Sequence, residues 1–138
     1  MLHKSRTLTV KTPGRAFVRI GAALQSAVED MDVGQGLLNA FVAHTSASLC
    51  IQENTDPDVL SDLMDALERL APEDYGYRHS LEGRDDMPAH IRSMLTATQL
   101  LLPVRDGRIA LGTWQEVYLI EHRRAPHLRR IEVDFLGS

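Results

Sequence analysis

The chain has 138 residues, 43% of them hydrophobic and 25% charged, and a formal net charge of −4. These values predict one globular domain over 1–138 and argue against disorder and against a nucleic-acid partner. A lone cysteine, Cys50, excludes an intrachain disulfide; without a signal-like start or a membrane-length apolar run, the expectation is a soluble cytoplasmic protein with no membrane partner.

The β-favouring residues of 7–10 predict a short strand, broken at Thr12-Pro13-Gly14. Ile20, Leu24, Ala27, Val28 and Met31 recur at three- and four-residue steps, which predicts an amphipathic helix. The apolar run 37–44 predicts a strand buried on both faces, and the alternation of Ala47, Leu49 and Ile51 predicts another reaching Glu53. These two strands are expected to form a hairpin. Asp56-Pro57 is a helix start, because the aspartate accepts free backbone N–H groups and proline at the first position lacks only a hydrogen bond that no residue there makes. Leu60, Leu63, Met64, Leu67 and Leu70 then share one face of that helix.

Residues 75–85 are polar and aperiodic and predict a long loop, after which Asp86 is placed to cap a short helix ending at Met94 or Leu95. The run 100–104, the turn Asp106-Gly107 and the stretch 108–121 predict a second hairpin. Ile131, Val133 and Phe135 alternate with polar residues in a last strand.

Polar clusters interrupt this frame at three places. His44-Thr45-Ser46-Ala47-Ser48, followed by Glu53-Asn54, offers hydroxyl donors for phosphate oxygens and an acid–base pair, or else an ordinary turn with a hydrogen-bonded histidine. A serine hydrolase is disfavoured because no Gly-x-Ser-x-Gly elbow occurs. His79, Glu82, Asp85, Asp86 and His90 offer imidazole and carboxylate ligands for a divalent ion, or simple loop polarity with Asp86 as a cap. Gly112-Thr113-Trp114-Gln115, read as lying inside a strand, offers close approach, a stacking face and an amide for a heterocycle, or a core tryptophan with space made for it.

The segments HTSASLCIQENTDP, HSLEGRDDMPAHIRS, GRIALGTWQEVYLIEHR and RRIEV, in this order and spacing, resemble the YjbQ family across nearly the whole chain. That resemblance implies an α+β fold of antiparallel sheets with packed helices, a homotrimer with sites near subunit boundaries, and a secondary thiamine-phosphate synthase activity. Such a transferase joins a hydroxymethylpyrimidine diphosphate to a thiazole phosphate and releases pyrophosphate. A small phosphorylated metabolite is therefore the expected partner; the alternative is a metal- or small-ligand-binding protein whose synthase activity is incidental. The matching positions make Glu53, His44 and His90 the catalytic candidates and Ser46, Asn54, Asp86, Gln115 and Arg123 the substrate-binding ones. Arg123 is the first candidate for phosphate and Gln115 for the pyrimidine edge. His44, His79 and His90 are expected to converge on one divalent ion, Zn²⁺ or Mg²⁺, with Asp86 or Glu53 behind them. Glu116 departs from the family pattern, which favours glycine there.

Overall fold

A computed structural model describes residues 1–138 as two antiparallel sheets and three helices, the expected α+β class. The larger sheet has the order β1-β8-β3-β5-β6 and the smaller β2-β7-β4. β1 (Leu2–Thr12) pairs along its whole length with β8 (His127–Gly137). It exceeds the predicted 7–10 because cross-strand polar pairs carry its polar end: Ser5 donates to Asp134 and Thr7 to Glu132.

After the unanticipated edge strand β2 (Ala16–Arg19), α1 (Gly21–Met31) buries Leu24, Ala27, Val28 and Met31 as its periodicity predicts. They join Leu38, Leu102, Val133 and Phe135 of the large sheet and Leu49, Val117 and Leu119 of the small one in a single core. Truncating any of the wholly buried leucines of this core to alanine costs on the order of 2–5 kcal/mol.

The predicted hairpin of β3 (Gly36–Val42) and β4 (Ala47–Glu53) does not form. β3 lies between β8 and β5 (Gln99–Arg105), whereas β4 pairs with β7 (Gln115–Glu121) in the other sheet. The link 43–46 is held to β8 instead, Ala43 donating its backbone N–H to Arg130. β3 is also not buried on both faces: Leu37 and Phe41 are each 44% exposed. Two-faced burial belongs to β7, where Val117 through Glu121 are at most 2% exposed. Its position explains this, since the core covers one face while α2 (Pro57–Leu70) and α3 (Asp86–Leu95) lie over the other.

The second predicted hairpin is real but short. Asp106 and Gly107 both take positive φ, 51° and 74°, and connect β5 to the two-residue β6 (Arg108–Ile109). The chain then leaves the large sheet, so Gly112 to Trp114 form a loop before β7, and Trp114 is 64% exposed instead of packed in a strand. Asp56 caps α2 as expected, accepting from the Asp58 N–H at 3.0 Å. Along the apolar stripe of α2 only Leu67 is buried, and Leu70 is 65% exposed.

Candidate functional site

Asp86 does not cap α3; Asp85 holds the cap position, and Asp86 is the first helical residue. Its carboxylate is thereby free for other partners. Oδ2 lies 2.6 Å from His79 Nε2 and 3.2 Å from His90 Nε2, and Oδ1 accepts from Arg123 Nη1 at 2.8 Å. The four-residue spacing from Asp86 places His90 on the same helix face, and the loop before α3 folds back to bring His79. The side chain of Asp86 is 8% exposed, while those of His79 and His90 are 42% and 35% exposed. Burial opposes the charge on Asp86, but the hydrogen bond from His79 and the charge of Arg123 prevail and hold its carboxyl below the ordinary range.

Arg123 follows the end of β7 and clamps the loop onto it. Its Nε donates to Asp85 Oδ2 at 3.0 Å and its Nη2 to the Glu82 carbonyl at 2.9 Å. Asp85 is held down to about 2, burial being outweighed by Arg123 and by the backbone N–H of Arg124. The expectation that Arg123 presents its guanidinium to a phosphate meets a different arrangement: Nε, Nη1 and Nη2 each donate to a protein acceptor, Asp85, Asp86 or the Glu82 carbonyl.

His79, Asp86 and His90 form one group whose ligand atoms all lie within 4.8 Å of one another. Two imidazoles and a carboxylate are a competent donor set for a divalent ion, and the exposed sides of both rings leave room for a further ligand. Arg123 on the other oxygen of Asp86 is the outer partner that such sites use to orient a ligand.

His44 is not in that group, which corrects the expected three-histidine set. Its Nε2 accepts the backbone N–H of Arg130 at 2.8 Å, and burial together with Arg129 and Arg130 lowers its pKa. Ser46 is also engaged, with Oγ accepting from Arg129 at 2.9 Å. Behind them lies an ion pair that the sequence reading missed: Glu121, wholly buried, accepts from Arg129, Thr12 and the Arg123 N–H. Its only sequence signal is an acidic residue at the end of an otherwise apolar run.

Glu53, Asn54 and Gln115 lie at the opposite end of the β4–β7 ladder, which pairs Glu53 with Gln115 and Ala47 with Glu121. At about 3.3 Å per residue the two ends are roughly 20 Å apart, so Glu53 cannot support the histidine group within one chain. Glu53 accepts the Asp56 N–H, Asn54 donates to the Thr113 carbonyl, and Gln115 accepts the Gly112 N–H. Glu116 turns away from the loop: it accepts the Val117 N–H and lies over Gly21, where an added Cβ would meet its Oε1 at 2.0 Å.

Ser48 and His122 are 2.8 Å apart, a serine–histidine contact of a hydrolase type, but both are 0% exposed and no substrate reaches them. Burial drives the His122 pKa down to about 3, so the ring is neutral.

The antiparallel layers and the polar groups gathered at one end of the small sheet define a compact α+β class with an open His-Asp-His group. The family described as UPF0047 protein YjbQ-like matches residues 6–138, and the chain belongs to that family. It is 51% identical over 132 residues to UPF0047 protein sll1880 of Synechocystis, covering 95% of this chain and 90% of that protein. To UPF0047 protein YjbQ of Escherichia coli O157:H7 it is 43% identical over 134 residues, covering 96% and 97%. Among solved structures, a conserved hypothetical protein of Thermus thermophilus superposes with a TM-score of 0.85 at 38% identity, covering 95% of this chain and 99% of that one. An uncharacterized yjbq/upf0047 family protein of Clostridium acetobutylicum gives 0.87 at 31% identity, with the same coverages of 95% and 99%. No helix is long and apolar enough to cross a membrane.

Proposed function

We propose that this chain is a cytoplasmic, thiamine-phosphate synthase-like transferase, with that activity secondary to another role. It would join a hydroxymethylpyrimidine diphosphate to a thiazole phosphate: the ring nitrogen bonds to the pyrimidine methylene as the carbon–oxygen bond breaks and pyrophosphate leaves with the electron pair. The observation that carries the reading is the His79–Asp86–His90 group, open to solvent and braced by Arg123. His79, Asp86 and His90 would hold a divalent ion, Zn²⁺ or Mg²⁺. Bound there, it supplies positive charge for the leaving pyrophosphate. Asp86 orients both imidazoles, and His90 is the catalytic candidate of this group.

Glu53, Asn54 and Gln115 enter the same site only if a neighbouring copy supplies them, which ties the reading to the proposed homotrimer. An interface is available on the outer face of the large sheet, where Leu37, Phe41, Leu101 and Leu136 are 44–57% exposed. Light scattering across dilution is expected to give a trimer; a monomer throughout would remove Glu53 from the site.

The direct test is turnover with both substrates. Wild-type protein should exceed His90→Ala by about 100-fold or more, as loss of an acid–base or ion-holding group requires. Equal turnover in the two overturns the transferase reading. A second reading, a metal- or small-ligand-binding protein with incidental synthase activity, is favoured by the commitment of Arg123 to Asp85, Asp86 and Glu82. Mass spectrometry of ligand released from purified protein separates the two, since an unrelated metabolite held tightly would favour binding over synthesis.

A further inference from the structure

Beside the loop that carries His79 lies a separate cavity of about 220 Å³, lined by Arg15, Glu68, Pro72, Glu73, Arg92 and Arg124. Arg92 is the unusual member. It is 1% exposed, yet the one protein acceptor of its guanidinium is the Ala71 carbonyl, 3.1 Å from Nη2. Its Nε and Nη1 have no partner, and neither has the buried Nε of Arg15. Buried donors in native proteins are almost always satisfied, so three orphans on two arginines that line one cavity call for a ligand that accepts hydrogen bonds.

The charge balance indicates which kind. Arg15 bonds Glu68 and Glu73, and Arg124 pairs with Glu73, so two carboxylates meet two of the three guanidiniums. Arg92 makes no salt bridge, and the three guanidiniums exceed the two carboxylates that line the cavity with them by one positive charge. An unpaired buried cation costs several kcal/mol, whereas an anion rich in oxygens supplies both the charge and the acceptors. Nearby His122, neutral and with an unpartnered buried Nδ1, adds no competing charge.

We propose that this cavity is an oxyanion site that takes a phosphate group, with Arg92 as its buried anchor, Arg15 beside it and Arg124 at the rim. Arg124 has a 66% exposed side chain and so marks the entrance. The cavity adjoins, at Glu73, the one that His79 lines. The site does not depend on the transferase reading, because it is defined by binding and not by turnover.

The test is calorimetric titration of the full chain, dialysed free of phosphate and sulfate, with inorganic phosphate and separately with glycerol phosphate. Saturable binding of either is expected, and a tighter fit for the ester would identify a metabolite as the source, while equal or weaker binding would point to free phosphate. Arg92→Met should weaken binding by about 10- to 100-fold, the loss expected for charged hydrogen bonds. Arg15→Gln, nearer to solvent, should weaken it by a smaller factor and keeps the test available if Arg92→Met does not fold. No saturable binding of either probe, or affinity unchanged in the folded variants, overturns the proposal. Failure of the synthase assay leaves it standing.

Discussion

The two ends of the small sheet use polar residues in opposite ways. At the Ala47–Glu121 end, charged side chains hold one another: Glu121 with Arg129, and Asp85 and Asp86 with Arg123. At the Glu53–Gln115 end, polar side chains hold backbone: Glu53 takes the Asp56 N–H, Asn54 the Thr113 carbonyl, and Gln115 the Gly112 N–H. The first arrangement leaves carboxylates and imidazoles fixed beside solvent, where they can meet a ligand. The second closes turns around a helix start and a loop. Similar residue types thus carry different consequences according to whether their partners are charges or peptide groups.

The largest effect should come from breaking the charged end. Arg129→Met leaves Glu121 ionised and wholly buried without its cation, and urea unfolding should show a loss of about 3–5 kcal/mol. Adding Glu121→Gln to that variant should recover part of the loss, because the stranded charge is gone. No recovery would mean that the ion pair contributes through packing alone.

Metal binding sharpens the contrast next. In zinc titrations, His79→Ala and His90→Ala should each lower affinity by more than the roughly 10- to 100-fold expected for an outer-partner change such as Arg123→Ala. His44→Ala should leave zinc affinity unchanged, since that ring serves the Arg130 N–H. Equal losses from His44→Ala and His90→Ala would restore the three-histidine set.

Acid should weaken the charged end through His122. The unfolded ring takes a proton below its ordinary 6.5 and the folded ring only below about 3. Its contribution is therefore complete above 6.5 and declines as pH falls from 6.5 toward 3, by up to about 1.4 kcal/mol per pH unit. His122→Gln should reduce the slope of unfolding free energy against pH between about 5.5 and 6.5, where Asp85 and Glu121, with ordinary values of 3.8 and 4.5, are ionised in both folded and unfolded chains and His44 keeps its own part of the slope. An unchanged slope would assign the acid sensitivity elsewhere.

The smallest effect belongs to the other end. Asp56→Ala removes the cap of α2 and should cost about 1 kcal/mol, measured by thermal unfolding. A larger loss would show that α2 carries more of the fold than its mostly uncovered stripe suggests.

Local signals made α1, the Asp56-Pro57 helix start and the Asp106-Gly107 turn legible, because each depends on residues within a turn or two of one another. The Asp86–His90 pairing is likewise a consequence of helical spacing, and the family followed from the order of its sequence segments. Only the tertiary structure decided that β3 and β4 lie in different sheets, because short apolar strands can pair with any neighbour that covers them. It also moved His44 away from His79 and His90, committed Arg123 to Asp85 and Asp86, and separated Glu53 from all of them by the length of β4. Arg92 shows the same limit: an arginine on an amphipathic helix carries no sign of burial in its sequence, and only the packed structure leaves it 1% exposed with Nε and Nη1 unpartnered. Sequence spacing fixes which side chains share a local face, while long-range packing fixes which charges are left together away from water.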